Sequence, residues 1–223
     1  MDDIKLIEVK QDILSENKEL ANNLRTHLSR EKTFLLNLMA SPGAGKTSLI
    51  QKTIEKLQQE FRIGIIEADI DSMVDSEKIA SLGITAIQLR TGGFCHLDAS
   101  MLNQALQDLN FQDFDLIIVE NIGNLVCPAE FDIGAIKNAM ILSVPEGDDK
   151  PLKYPAMFSV SDVVVLNKID YLQLTEFDTM ALKDRINSLN AGAPIFEVSC
   201  RTEEGLTDWT TWLKNEIDSF IQG

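Results

Sequence analysis

Apolar runs of strand length alternate along this chain with segments of helical spacing. The runs are "TFLLNLMA" (33–40), "RIGIIEAD" (62–69), "ITAIQL" (84–89), "FDLIIVEN" (114–121), "NAMILSVP" (138–145), "SDVVVLNK" (161–168) and "APIFEVSC" (193–200). Helical stretches near 46–60, 75–82, 99–109, 176–189 and 205–221 sit between them. Near-continuous apolar strands separated by amphipathic segments indicate an α/β fold, a mostly parallel sheet covered by helices on both faces. Ahead of the first strand, Ile4, Leu6, Ile7, Ile13, Leu14, Leu20, Leu24 and Leu28 recur at helical spacing. They predict one or two amphipathic helices. The chain therefore divides into an N-terminal helical extension, 1–30, and one large domain, 31–223. "PEGDDKPLKYP" (145–155) reads as a loop or ordered linker.

Composition narrows the partners. The net charge of −15 over 223 residues opposes binding to nucleic-acid phosphates or anionic membrane surfaces, and no basic cluster offsets it. The three cysteines cannot all pair and show no disulfide framework, which leads us to expect a reducing, cytoplasmic location. "MDDIKLIEVKQD" lacks the apolar core of a signal peptide, and no apolar run reaches the ~20 residues of a membrane span. His27, alone among the helical positions, reads as a half-exposed helix residue.

Functional loops of an open parallel sheet gather at the carboxyl ends of its strands, so motifs that end strands share one rim. "ASPGAGKTSL" (40–49) follows the first strand and fits the phosphate loop G-x-x-x-x-G-K-[ST], with Ala40 at the first position. Gly43, Ala44 and Gly45 let the backbone curl around phosphate oxygens, and Ser48 lies in the helix whose positive N-terminus faces the anion. Lys46 is expected to bridge the β- and γ-phosphates, and Thr47 to offer its hydroxyl to Mg²⁺. An ordinary glycine-rich turn is the bland alternative. Strand, loop, Lys-Thr and helix occurring in order argue against it.

"VLNKID" (165–170) ends a later strand. Asp170 can accept from the N1–H and 2-amino groups of guanine, which adenine does not offer, so GTP and GDP are the expected nucleotides. Asn167 can contact base and loop, and the Lys168 stem can cover the base plane. "DLIIVENIG" (115–123) ends in Glu120, a carboxylate for a Mg²⁺-bound water, followed by Gly123, whose N–H can sense the γ-phosphate. Asp69, in "EADID", is a second Mg²⁺-side candidate; Asp71 and Asp75 read equally well as caps or solvated carboxylates. The expected catalytic set is Lys46, Thr47, Asp69 and Glu120, with no general base identified. Asn124 stands where some GTPases place a water-orienting Gln, which predicts slow turnover.

Cys95 and His96 follow the 84–89 strand and Cys127 follows the Glu120 strand, so all three fall near the nucleotide rim. Two thiolates and an imidazole form a soft set suited to Zn²⁺ or Ni²⁺. Spacing alone leaves metal binding and buried, inert cysteines open. Gly123 and Cys127 lie four residues apart, at most ~14 Å between α-carbons, so a loop that moves with the γ-phosphate would carry Cys127 along. A second copy or a water could complete the three-ligand site. Cys200 reads as structural or as a weak guanine-side contact. Lys153 could reach a nucleotide across a dimer, meet an acidic partner, or be a solvated loop lysine.

Through "SPGAGKTSL", "TGGFCHLDA", "VENIGNLVCPAEFD", "EGDDKPLKYP" and "LNKIDYL" the chain resembles the HypB family, GTPases that help insert nickel into [NiFe]-hydrogenase. The resemblance implies a P-loop GTPase domain, a homodimer promoted by GTP, and a metal site from Cys95, His96 and Cys127. It also implies a HypA-type nickel chaperone and a hydrogenase large-subunit precursor as partners. The chain departs from relatives in three respects. Ala40 replaces the usual Gly, and Lys78 stands where Arg is frequent. Residues 1–32 hold no cysteine and one histidine, so a high-affinity nickel store of the kind some relatives carry is not expected. Three other readings compete, one of them a metal-storing binding module without turnover. A urease-accessory nickel GTPase would show Cys-Pro-His where this chain reads Cys-His-Leu. A P-loop metabolite kinase would need no "NKID" and would show an Arg-bearing lid.

Overall fold

The computed structural model describes residues 9–69 and 83–223, with side chains for 13–68 and 83–223. Seven strands form one sheet: β1 (Phe34–Ala40), β2 (Ile63–Asp69), β3 (Thr85–Arg90), β4 (Leu116–Glu120), β5 (Lys137–Ser143), β6 (Val163–Asn167) and β7 (Ile195–Glu197). The order is β3-β2-β4-β1-β5-β6-β7, with every pairing parallel. The longer helices are α1 (Val9–Glu31), α2 (Lys46–Leu57), α3 (Ala99–Leu109), α4 (Thr179–Leu189) and α5 (Leu206–Gln222). Among the described residues, no helix is long and apolar enough to cross a membrane.

Strand alternation splits the core between the two faces of the sheet. Phe34, Leu36, Leu38 and Ala40 of β1 pack with Leu49, Ile50 and Ile54 of α2 and with Trp209, Leu213 and Ile217 of α5. Leu35 turns to the other face, among Leu24 and Leu28 of α1 and Leu102 and Leu106 of α3. Met39 joins Phe158, Leu182 and Ile186 on that same side. Burial on both faces explains why these strands are apolar throughout rather than alternating.

The boundaries shift for local reasons. β7 is shorter than the 193–200 run because Ser199 N–H turns away to the Glu204 carbonyl, and the chain leaves the sheet. β5 stops at Ser143, where a turn over Val144–Glu146 includes Pro145, which has no N–H for a ladder. The 145–155 stretch is ordered: short helices Lys150–Lys153 and Pro155–Ser159 each carry proline in the first turn. α1 is continuous, and its inner stripe is Asn17, Ala21, Leu24 and Leu28. Ile13 and Leu20 are 50% and 46% exposed, so they do not join the core as expected. The helix expected near 75–82, with Asp71, Asp75 and Lys78, lies outside the described residues, as do Ile4, Leu6 and Ile7.

One ion pair pins the starts of β2 and β4. Asp115 accepts from the Arg62 guanidinium at 2.7 and 3.0 Å and from the Arg62 backbone N–H at 2.8 Å. The Arg62 guanidinium holds the Asp115 carboxyl below the usual carboxylate range, against partial burial. A depressed folded pKa contributes stability above the unfolded value, about 3.9, and that stability is lost as pH falls through the folded pKa. Asp115→Asn should therefore flatten the acid limb of the melting curve between about pH 5 and 3. At pH 7 it should cost about 0.5–1 kcal/mol, a modest amount because Arg62 is largely exposed. Thermal melts across pH measure both effects.

Candidate functional site

Every strand of the parallel sheet ends at the same edge, with β1 between β4 and β5. The loop after β1 thus lies beside the loop after β4, and its hydrogen bonds reach past β5 to the end of β6. Gly43 and Gly45 take left-handed backbone angles, φ 77° and 103°. The Asn167 amide donates to the Ala44 carbonyl at 3.0 Å, and Lys168 Nζ donates to the Gly43 carbonyl at 2.7 Å. A Cβ on Gly45 would lie 2.4 Å from that amide nitrogen, so glycine is required for this approach. The phosphate loop and the "NKID" strand end form one hydrogen-bonded unit.

On the phosphate side, Thr47 Oγ1 donates to Glu120 Oε1 at 3.0 Å. Glu120 is buried at the end of β4, in register with buried Glu67 of β2. Both line a cleft of about 580 Å³ with Gly43, Gly45, Lys46, Thr47, Ser48 and Gly123. Ala44 is buried beneath the loop. A hydroxyl and a carboxylate within bonding distance are the hard oxygen donors that suit Mg²⁺. Gly123 rests on the phosphate loop: a Cβ there would lie 2.9 Å from Pro42 Cγ and 3.0 Å from Pro42 N. Asp69 closes β2, and its side chain lies outside the described residues.

A second cavity, about 330 Å³, adjoins the first and is lined by Gly45, Ser48, Asn167, Lys168, Asp170 and Cys200 among others. Asp170 Oδ1 accepts from the buried Ser199 hydroxyl at 2.7 Å. Burial pushes the Cys200 thiol up to about 11, so it stays a neutral wall of this cavity. Lys153 is 58% exposed, pairs with Asp149 at 2.5 Å, and is outside the lining of both cavities.

Cys95, His96 and Cys127 come together. Their ligand atoms all lie within 4.8 Å of one another. Cys95 Sγ is 2.8 Å from Cys127 Sγ and 3.8 Å from His96 Nδ1. The His96 ring stacks on Phe131, centroids 3.7 Å apart and planes at 18°. Burial holds its pKa below the ordinary value, which favours the neutral, ligating imidazole. Two sulfurs and a nitrogen at these separations fit a soft or borderline ion. His27, exposed on α1, is not part of the cluster.

Sequence reasoning missed three contributors. Glu67 sits two residues before Asp69, the strand period that puts both on one face, and this was the available signal. Ser199 orients Asp170, whereas the adjacent Cys200 drew attention. Asn124, read as a replacement for Gln, donates to the Cys95 carbonyl at 3.2 Å and accepts from Val126 N–H at 2.8 Å. It thereby joins the loop after Gly123 to the Cys95 and Cys127 segments.

Residues 34–197 match the family described as CobW/HypB/UreG, nucleotide-binding domain. The chain is similar to the hydrogenase maturation factor HypB of Azotobacter chroococcum mcd 1, 41% identical over 212 residues that cover 95% of this chain and 70% of that protein. The crystal structure of hydrogenase maturation factor HypB from Archaeoglobus fulgidus superposes with a TM-score of 0.85 at 37% identity, covering 91% of this chain and 99% of that one. HypB from Helicobacter pylori, solved in complex with nickel, gives a TM-score of 0.85 at 35% identity, covering 92% and 96%.

Proposed function

The chain belongs to the HypB family of hydrogenase maturation factors, within the CobW/HypB/UreG group, and from that membership we propose that it is a slow, Mg²⁺-dependent GTPase whose nucleotide state governs nickel handling for [NiFe]-hydrogenase. The observation that carries the proposal is Asn124, hydrogen-bonded across from the Gly123 loop to the Cys95 carbonyl. It is a direct polar connection between the loop that follows Gly123 of the phosphate cleft and the Cys/His cluster.

In this reading Asp170, held by Ser199, reads guanine, and the 43–48 loop cradles the triphosphate. Lys46 neutralises the β/γ oxygens, while Thr47 and Glu120, with Asp69, would hold Mg²⁺. Held there, Mg²⁺ would supply positive charge against that developing on the γ-phosphoryl oxygens; water takes the γ-phosphoryl group, giving GDP and phosphate. Without a glutamine beside Gly123, water is poorly oriented and turnover is slow. Loss of the γ-phosphate frees the Gly123 loop to move, and Asn124 carries that movement to Cys95 while the chain itself carries it to Cys127. Nickel is the cargo, with Zn²⁺ as the competing ion at a thiolate site. A fourth ligand would come from water or from a second copy in a GTP-promoted homodimer, where Lys153 could meet the partner's nucleotide. The HypA-type chaperone and the hydrogenase large-subunit precursor are the proposed donor and recipient, in the cytoplasm. Residues 1–30 are the proposed helical extension to a GTPase domain over 31–223.

Ni²⁺ and Zn²⁺ titrations test the coupling, on wild type and Asn124→Ala, each with GDP and with a non-hydrolysable GTP analogue. Wild-type affinity should differ between nucleotides by about 5–150-fold, the range of ordinary coupling energies. Asn124→Ala should bring that ratio close to one at unchanged stoichiometry. Equal wild-type affinities in both states would reject the coupling, and a preference for ATP would reject the GTPase reading.

A further inference from the structure

α1 is remote in sequence from the segments that bear Cys95, His96 and Cys127, yet its inner face is bonded to both. Asn17, only 7% exposed, donates from Nδ2 to the Asp132 carbonyl at 2.8 Å and accepts at Oδ1 from the Ala99 N–H at 2.8 Å. Ala99 opens α3 three residues after His96, and Asp132 follows Cys127 by five. Arg25, two turns further along α1, donates to the Ala135 carbonyl at 2.9 Å and pairs with Asp132 Oδ1 at 2.5 Å. Gly134, at φ 83°, lies against the same helix: a Cβ there would be 2.9 Å from the Ala21 carbonyl.

Packing alone does not call for an amide here. Asn17 occupies the stripe otherwise filled by Ala21, Leu24 and Leu28, where an apolar side chain would bury surface at no polar cost. A buried amide is tolerated because both its donor and its acceptor are satisfied, and the two bonds lead to two different ligand-bearing segments. We propose that Asn17 is a positioning residue for the metal site, a single amide that joins the Cys95–His96 segment to the Cys127 segment and fixes the spacing of their donor atoms. The proposal rests on the reading of Cys95, His96 and Cys127 as metal ligands, and it makes α1 part of that site. Groups bonded just outside a metal's ligands change affinity by about 10–100-fold. Asn17 acts one step further out, through backbone, so about 10-fold is expected.

The test uses the full chain with Co²⁺ as probe, followed by its thiolate charge-transfer band. Asn17→Ala should weaken Co²⁺ binding about 10-fold and diminish the band, while affinity for a GTP analogue, whose cleft Asn17 does not touch, stays within about twofold. Asn17→Asp keeps the acceptor for Ala99 but not the donor to Asp132, should fall in between, and serves alone if the alanine variant does not fold. Leu28→Ala, buried on the same helix and bonded to neither segment, should lower the melting temperature and leave Co²⁺ affinity intact. A metal-free readout runs alongside: diamide accepts two electrons and two protons from the Cys95 and Cys127 thiols as their disulfide forms, and trapping should slow about 10-fold in Asn17→Ala. Equal Co²⁺ affinity and equal trapping rate in wild type and the Asn17 variants would overturn the proposal, as would parallel losses in Leu28→Ala. Trapping that slows in the Asn17 variants, with no Co²⁺ bound by the wild-type chain, would refute the ligand assignment and leave the bracing role of Asn17 supported.

Discussion

Asp170→Asn is expected to lower GTP affinity by about 10²–10⁴-fold and to raise affinity for xanthosine triphosphate. A carboxylate at the guanine edge accepts from N1–H and from the 2-amino group, and each charge-assisted bond is worth about 1.5–3 kcal/mol net. Together they give roughly 3–6 kcal/mol, at 1.4 kcal/mol for each factor of ten. The environment of Asp170 makes the outcome directional. Ser199 Oγ donates to Oδ1 at 2.7 Å, and an asparagine would keep its carbonyl oxygen on that hydroxyl. Its amide nitrogen would then face the base and set a donor against the guanine donors. Xanthine presents a carbonyl where guanine has its amino group, so it would accept the new donor. Competition with a fluorescent guanine nucleotide, using GTP, xanthosine triphosphate and ATP, measures the switch. Unchanged GTP affinity would place guanine recognition elsewhere, and Ser199→Ala should show a smaller loss in the same assay.

The chain discloses part of this site and conceals the rest. The strands were legible because burial on both faces makes them apolar throughout, a signal that needs no partner. The 40–49 loop and "NKID" were legible as motifs because each is a run of consecutive residues, and the structure sets the two side by side. Strand order was not, since β4 enters between β1 and β2 and no periodicity encodes that choice. The residues that join motifs to one another were also hidden. Ser199 meets Asp170 across 29 positions, Asn124 meets Cys95 across 29, and Asn17 meets Asp132 across 115. In a helical pattern Asn17 registers only as a polar interruption of an apolar stripe. The Cys/His cluster was intermediate: the carboxyl-end rule brought its members to one rim, but only the fold sets their separations.

Cys127→Ala should weaken Ni²⁺ and Zn²⁺ binding by about 10²–10³-fold with little effect on folding or on GTP affinity. Four-ligand zinc sites contribute an apparent 10–16 kcal/mol, so one ligand carries roughly a quarter of that, about 2.5–4 kcal/mol. The fold should tolerate the change because the thiol is only partly buried and meets the Cys95 sulfur. Cys127 opens a short helix, Cys127–Glu130, which alanine can also open. The links that hold the surrounding loops run through other groups: Asn124 to the Cys95 carbonyl, Asn124 to Val126 N–H, and Asn17 to Ala99 and Asp132. Loss of metal affinity at preserved melting temperature would therefore report on the sulfur itself. Metal binding retained at wild-type strength in Cys127→Ala would mean that the ion is held without this thiolate. The coupling route through the 123–127 segment would then have no metal ligand at its end.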